Sequence, residues 1–140
     1  MTKPEQTDYT DSAMIRVPMR TLDEQERRSV LARKRFWLLR SCEGAGVVPS
    51  RIIVFGSAGR NELREDSDLD IAILFQSDDD LQRGRAAVRR AEREDQWPLD
   101  LLFYTEEEFA SRATIGGVCM IIRDEGYVLF RDDSVCGDQG

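Results

Sequence analysis

Three observations predict a single α/β layer structure for this chain. Short apolar runs bounded by turn residues read as interior strands, stretches with helical periodicity separate them, and 140 residues suit one domain with one core. A second independent domain is not expected in that length.

The elements follow in chain order. Residues 1–20 are polar, carry Pro4 and Pro18 and lack periodicity, so they read as a flexible arm. Thr21 and Glu24 have capping-box spacing, and Val30, Leu31, Phe36, Trp37, Leu38 and Leu39 then recur roughly as a helix face up to Cys42. Gly44 to Val47 and Pro49 end that helix. Ile52 to Phe55, closed by Gly56, reads as an interior strand, and Leu69 to Phe75 as a second. A helix over Gln82 to Glu94 follows, then a strand over Leu99 to Tyr104 directly after Pro98. Thr105 with Glu106, Glu107 and Glu108 opens a short helix, Ile115 to Arg123 makes another, and Gly126 to Phe130 is a last strand. The domain is thus expected over 21–132, with a polar tail over 133–140.

Composition narrows the function classes. The chain is 41% apolar and 34% charged, no apolar run approaches the roughly 18 residues of a membrane span, and the N-terminus has no signal-peptide core. A cytoplasmic location and no membrane partner are expected. A net charge of −7 argues against bulk attraction to a nucleic-acid backbone, so direct nucleic-acid binding is not expected. The local exception is the run Arg83, Arg85, Arg89, Arg90 and Arg93, which reads first as a solvated helix face and second as a docking surface for an acidic partner. Cys42, Cys119 and Cys136 suit neither a disulfide framework nor paired zinc ligands and read as reduced thiols. With no histidine, catalysis would rest on carboxylates and a bound cation.

Asp68 and Asp70 stand at the mouth of the second strand, two residues apart and therefore on one face, while Leu69, Ile71 and Ile73 face the other way. Two neighbouring ionised carboxylates repel unless a cation neutralises them or one is protonated. Asp100 interrupts the apolar run Leu99 to Phe103, where an uncompensated charge costs several kcal/mol, and it would complete a cluster if its strand is adjacent. Each aspartate alone reads more simply as a solvated strand end; together, as oxygen-only ligands, they suit Mg²⁺ or Mn²⁺. A calcium loop starting at Asp66 fails because Ile71 replaces the glycine and Ser77 the glutamate that it requires.

The turn preceding the pair offers a complementary site. Gly56 and Ser57 follow a strand, Ala58 to Leu63 can begin a helix, and Arg60 adds a cation, an arrangement that can cradle an anion. Alone this is a weak signal, since no Walker-type lysine follows. Beside a cation site it suits a metal-bound triphosphate.

These residues resemble the signature of the polymerase-beta-like nucleotidyltransferases: Gly56-Ser57, the ten residues Ala58 to Ser67, then Asp68-Leu69-Asp70, with Asp100 as third carboxylate. The resemblance spans roughly Arg51 to Phe103 and implies a mixed sheet flanked by helices. In size and order the chain is similar to the minimal nucleotidyltransferases of that superfamily. These often accompany a helical partner of the HEPN type, in several pairs a ribonuclease toxin on which the antitoxin adenylylates a tyrosine. The resemblance implies that Asp68 and Asp70 bind two Mg²⁺ ions about 4 Å apart. Asp100 would act as metal ligand or general base, and Gly56 and Ser57, with Arg60 beside them, would hold the phosphates of ATP. Where the family usually has Ala-Arg-Gly, this chain has Gly59-Arg60-Asn61; Asn61 tolerates a left-handed turn, and Gly59 loosens a helical turn by up to about 1 kcal/mol relative to alanine. Two other functions compete with the adenylyltransferase. One is a transferase for a small hydroxylated molecule such as an aminoglycoside, and the other a nucleotide- or toxin-binding module without chemistry.

Overall fold

The computed structural model describes residues 20–56, 63, 64, 69–95 and 99–133. Residues 1–19 of the expected arm, residues 58–62 of the expected helix start with Gly59, Arg60 and Asn61, and Ser57, Asp68, Trp97, Cys136 and the tail beyond Asp133 lie outside them.

Asp23 caps the first helix, α1 (Glu24–Glu43), in a capping box: its carboxylate accepts from the Glu26 N–H at 2.8 Å, and the Glu26 carboxylate accepts from the Asp23 N–H at 3.0 Å. The box therefore forms at Asp23 and Glu26 rather than at Thr21 and Glu24. Both pairs have the same spacing, but the backbone of Thr21 is taken up in a bridge to Arg64. Arg20 donates to the same Glu26 carboxylate from Nη1 and Nη2 and, by that hydrogen bond first, pushes its carboxyl down to about 2.

β1 (Arg51–Phe55), β2 (Leu69–Phe75), β3 (Leu99–Thr105) and β4 (Tyr127–Arg131) form one sheet in the order β3-β2-β1-β4. β2 pairs antiparallel with β1 and parallel with β3, and β4 is antiparallel to β1, so the sheet is mixed as expected. α2 (Asp78–Asp95) makes the crossover between the parallel strands. α3 (Glu106–Ile115), capped by Thr105, and α4 (Val118–Glu125) lead into β4. The last helix starts at Val118 and not Ile115 because Gly116 and Gly117, both at positive φ, separate it from α3.

The strand pleat divides the apolar residues between two helical layers. Ile52, Val54, Ile71, Ile73 and Phe75 meet Leu31 and Leu38 of α1 and Leu81 and Val88 of α2. Ile53, Ala72 and Leu74 meet Phe109 and Ala113 of α3 and Cys119 and Ile122 of α4 on the other face. Cys42 and Cys119 are buried free thiols, and burial pushes the Cys42 thiol up to about 11. Trp37 is half-buried against the first layer, whereas Phe36, expected on the same face, is 62% exposed. No helix among the described residues is long and apolar enough to cross a membrane.

Two contacts fix how α2 and α3 sit. Gly84 lies flat on the Phe75 ring, and an added Cβ would come within 2.5 Å of Cε1 and 2.6 Å of Cζ. Phe75 is fully buried and cannot withdraw, so Gly84→Ala is expected to cost about 1–3 kcal/mol by overpacking despite the better helix propensity of alanine, read as a lower denaturant midpoint at unchanged slope.

At the far end of the sheet from the Asp70 mouth, Glu106 accepts from Arg51 Nε and Nη2 at 3.0 and 2.8 Å and from the Ser50 hydroxyl at 2.6 Å. Burial alone would raise the Glu106 carboxyl, but the Arg51 and Ser50 hydrogen bonds prevail and hold it below its ordinary 4.5. A depressed folded pKa contributes stability that is present above the unfolded value and lost as pH falls through the folded one. Glu106→Gln is therefore expected to cost about 2 kcal/mol near neutrality and to flatten the decline of melting temperature with acid below pH 4.5.

Candidate active site

The mouth of the sheet is built where β1 ends and β2 and β3 begin. Antiparallel pairing places Phe55 opposite Asp70, and the parallel ladder places Asp70 opposite Asp100. In-register partners on neighbouring strands point to the same face, roughly 4.8 Å apart at the backbone. The sequence left this adjacency conditional; the parallel register brings the two carboxylates together. They stand on the face that farther along carries Ala72, Leu74, Leu102 and Tyr104 beneath α3 and α4. At the mouth itself Asp70 is half-buried and Asp100 is exposed.

The exposure of Asp100 differs from the expectation of a buried, costly charge. β3 is an edge strand of the sheet among the described residues, so one side of Asp100 opens to solvent and its desolvation cost falls away. What the edge position provides instead is access.

Gly56 completes this part of the site in a way that motif spacing did not reveal. Its φ of +69° is in the left-handed region, and a Cβ built there would overlap Oδ2 of Asp70 and lie 3.3 Å from its Cγ. The Asp70 carboxylate thus rests directly on the Gly56 backbone, in space that only glycine leaves open. The available signal was a glycine closing an interior strand, but nothing in the sequence says which side chain fills the space it leaves.

Of the expected site residues, then, the structure brings together Gly56, Asp70 and Asp100, while Ser57, Arg60 and Asp68 lie outside the described residues. Among the described residues no three histidine, cysteine, aspartate or glutamate side chains cluster to hold a metal. The donor chemistry nevertheless fits one. Asp70 and Asp100 supply only oxygen ligands, on one face and in register, the set that suits a hard divalent cation. A third oxygen donor is expected from Asp68, which immediately precedes β2.

The family model for the nucleotidyltransferase domain matches residues 38–128, more than half of the chain, from the second half of α1 into β4. That span extends beyond the Arg51 to Phe103 stretch that carries the motif. No curated protein matches. Among solved structures, the crystal structure of a candidate nucleotidyltransferase from Sulfolobus solfataricus superposes with a TM-score of 0.52 at 16% identity, covering 76% of this chain and 85% of that one. At that identity the likeness is one of fold.

Proposed function

Since the chain belongs to the nucleotidyltransferase domain family, we propose that it transfers AMP from ATP to a tyrosine hydroxyl of a helical partner protein of the HEPN type, as the antitoxin of a toxin–antitoxin pair. The observation that carries the chemistry is the register of Asp70 with Asp100 beside the Gly56 turn.

In the reaction the hydroxyl oxygen attacks the α-phosphorus in line and the new P–O bond forms. The bond from the α-phosphorus to the bridging oxygen breaks, and pyrophosphate leaves with that electron pair. Asp68, Asp70 and Asp100 would hold Mg²⁺, which when bound stabilises the charge on the attacking and leaving oxygens. Asp100, at the open edge, is reached by an acceptor and either completes the ligand set or takes the hydroxyl proton. Gly56 leaves room for Asp70, and Ser57 and Arg60 are assigned to the triphosphate by the motif.

The test is incubation of the pure protein with α-labelled ATP and Mg²⁺, with and without the protein encoded beside it, followed by denaturing electrophoresis. Label on the neighbour is the expected result. A stable complex that takes up no label would replace the enzyme with a binding module. Pyrophosphate release dependent on an aminoglycoside would replace the protein acceptor with a small molecule.

A further inference from the structure

The middle of α1 is cationic in an otherwise acidic chain. Between Arg27 and Cys42 the sequence holds six cations and no acid, in a chain whose net charge is −7; Arg27 and Lys34 are buried, which leaves Arg28, Arg33, Arg35 and Arg40 on the exposed side. α2 repeats the pattern, with four arginines and no acid between Leu81 and Ala91. Both helices pack through Leu31, Leu38, Leu81 and Val88 on the same face of the sheet, so their exposed arginines stand in one outward layer whose middle is basic and whose acids lie toward the helix ends, at Glu24, Glu26 and Glu43 of α1 and at Asp78 to Asp80, Glu92 and Glu94 of α2. The remainder of the chain is correspondingly more acidic than the whole.

Some of these arginines are internally neutralised. Arg28 pairs with Glu24, Arg40 with Glu43, Arg83 with Asp79 and Asp80, and Arg89 with Glu92. Arg33, Arg35, Arg90 and Arg93, by contrast, have no ion pair among the described residues. In the middle of α1 stands Phe36, 62% exposed, with the Arg40 guanidinium 5.5 Å over its ring. A large aromatic held in water on an arginine-rich helix has the composition of an interface centre, where aromatic residues and arginine carry most of the binding energy.

We propose that this layer, centred on Phe36 and extended by Arg33, Arg35, Arg90 and Arg93, docks a protein partner through a compact acidic patch with an apolar centre. Charge complementarity selects the partner's sign. Its compactness follows from the rest of the molecule. A nucleic-acid strand longer than the patch runs on into the acidic remainder, which repels it, whereas a local acidic patch on a folded protein stays within a Debye length, about 8 Å, of the arginines. The surface deepens the proposed function by giving the acceptor protein a seat, and it rests on that reading only for the partner's identity. Steering by such a layer would act mainly on the association rate and would weaken with salt.

Two variants and two probes test the surface. Arg33→Glu with Arg35→Glu, and separately Arg90→Glu with Arg93→Glu, remove exposed cations that no ion pair among the described residues holds, and both are expected to melt at the parent temperature. Fluorescent poly-L-glutamate is expected to bind the parent at low salt and each variant about tenfold more weakly, while single-stranded RNA of matched charge binds the parent less well than the polypeptide. Equal affinity of parent and both variants for poly-L-glutamate overturns the proposal, and tighter RNA binding lost in the variants overturns it in favour of a nucleic-acid surface. With the neighbouring protein as ligand, Phe36→Ala is expected to weaken the complex about 30-fold, the size of a hot-spot truncation. If the parent forms no complex with that protein, the proposed function fails, and the poly-L-glutamate comparison still decides the surface.

Discussion

Asp70→Asn is expected to lower nucleotidyl transfer about a thousandfold while leaving the melting temperature within a few degrees of the parent. The activity loss follows from the register. Asp70 is the described carboxylate that both faces Asp100 and rests on the Gly56 turn, so it is the oxygen ligand with the least freedom to be replaced by a neighbour. Bound divalent cations supply several kcal/mol of transition-state charge stabilisation, and several kcal/mol is about three decades in rate. The stability expectation comes from the same geometry. Two carboxylates on adjacent strands about 5 Å apart repel by roughly 1 kcal/mol in bulk water and roughly 3 at an effective dielectric constant of 20, and Asn keeps the shape of the side chain while removing one of the charges. Loss of the contacts that the Asp70 carboxylate makes opposes this gain, which is why a small net change is expected. A ligand-linked measurement separates the two effects: Mg²⁺ with a non-hydrolysable ATP analogue raises the melting temperature of the parent and not of the variant. Transfer at the parent rate, or an equal thermal shift in the variant, would remove Asp70 from the site.

Most of the fold was legible because it is written in apolar runs. The strands at Arg51–Phe55, Leu69–Phe75, Leu99–Thr105 and Tyr127–Arg131 lie within a residue of where the runs and their glycine or proline boundaries put them. β1 and β2 are buried through most of their length, so their limits show as unbroken apolar runs, whereas the more exposed edge strands β3 and β4 show by Pro98 and Gly126 beside theirs. What did not show is lateral order. That β2 and β3 are neighbours, and parallel, depends on where α2 lands, and only this adjacency turns Asp70 and Asp100 from two separate strand ends into a pair. Local ambiguities account for the remaining differences. Two overlapping capping-box spacings precede α1, of which only Asp23 with Glu26 forms the box, and Phe36 has the hydrophobicity of a core residue but a helical phase that carries it away from Leu31 and Leu38. The GG step at Gly116 could have been read as moving the start of α4 three residues on from Ile115, to Val118. The motif assigned Gly56 to phosphate contact, but its second task, making room for Asp70, belongs to pairing between strands and has no signature in spacing.

That second task makes Gly56→Ala the most informative single change at the site. Alanine at φ +69° costs about 1–2 kcal/mol in backbone strain alone. Its Cβ would also overlap Oδ2 of Asp70, the far end of a short side chain that can rotate away without moving β2. The steric conflict is therefore relieved by displacing the carboxylate, and its cost is paid mainly in activity. A misplacement of about 1 Å in a reacting geometry lowers the rate about a hundredfold, so the variant is expected to lose both stability and transfer, unlike Asp70→Asn, which loses transfer alone. Combining Gly56→Ala with Asp70→Ala distinguishes strain from collision. The overlapping oxygen is then gone, and the melting temperature should recover only the steric part of the loss, leaving the left-handed backbone cost. If Gly56→Ala melts and transfers as the parent does, the Gly56 turn is not what positions Asp70, and the site must be held from the strand pairing alone.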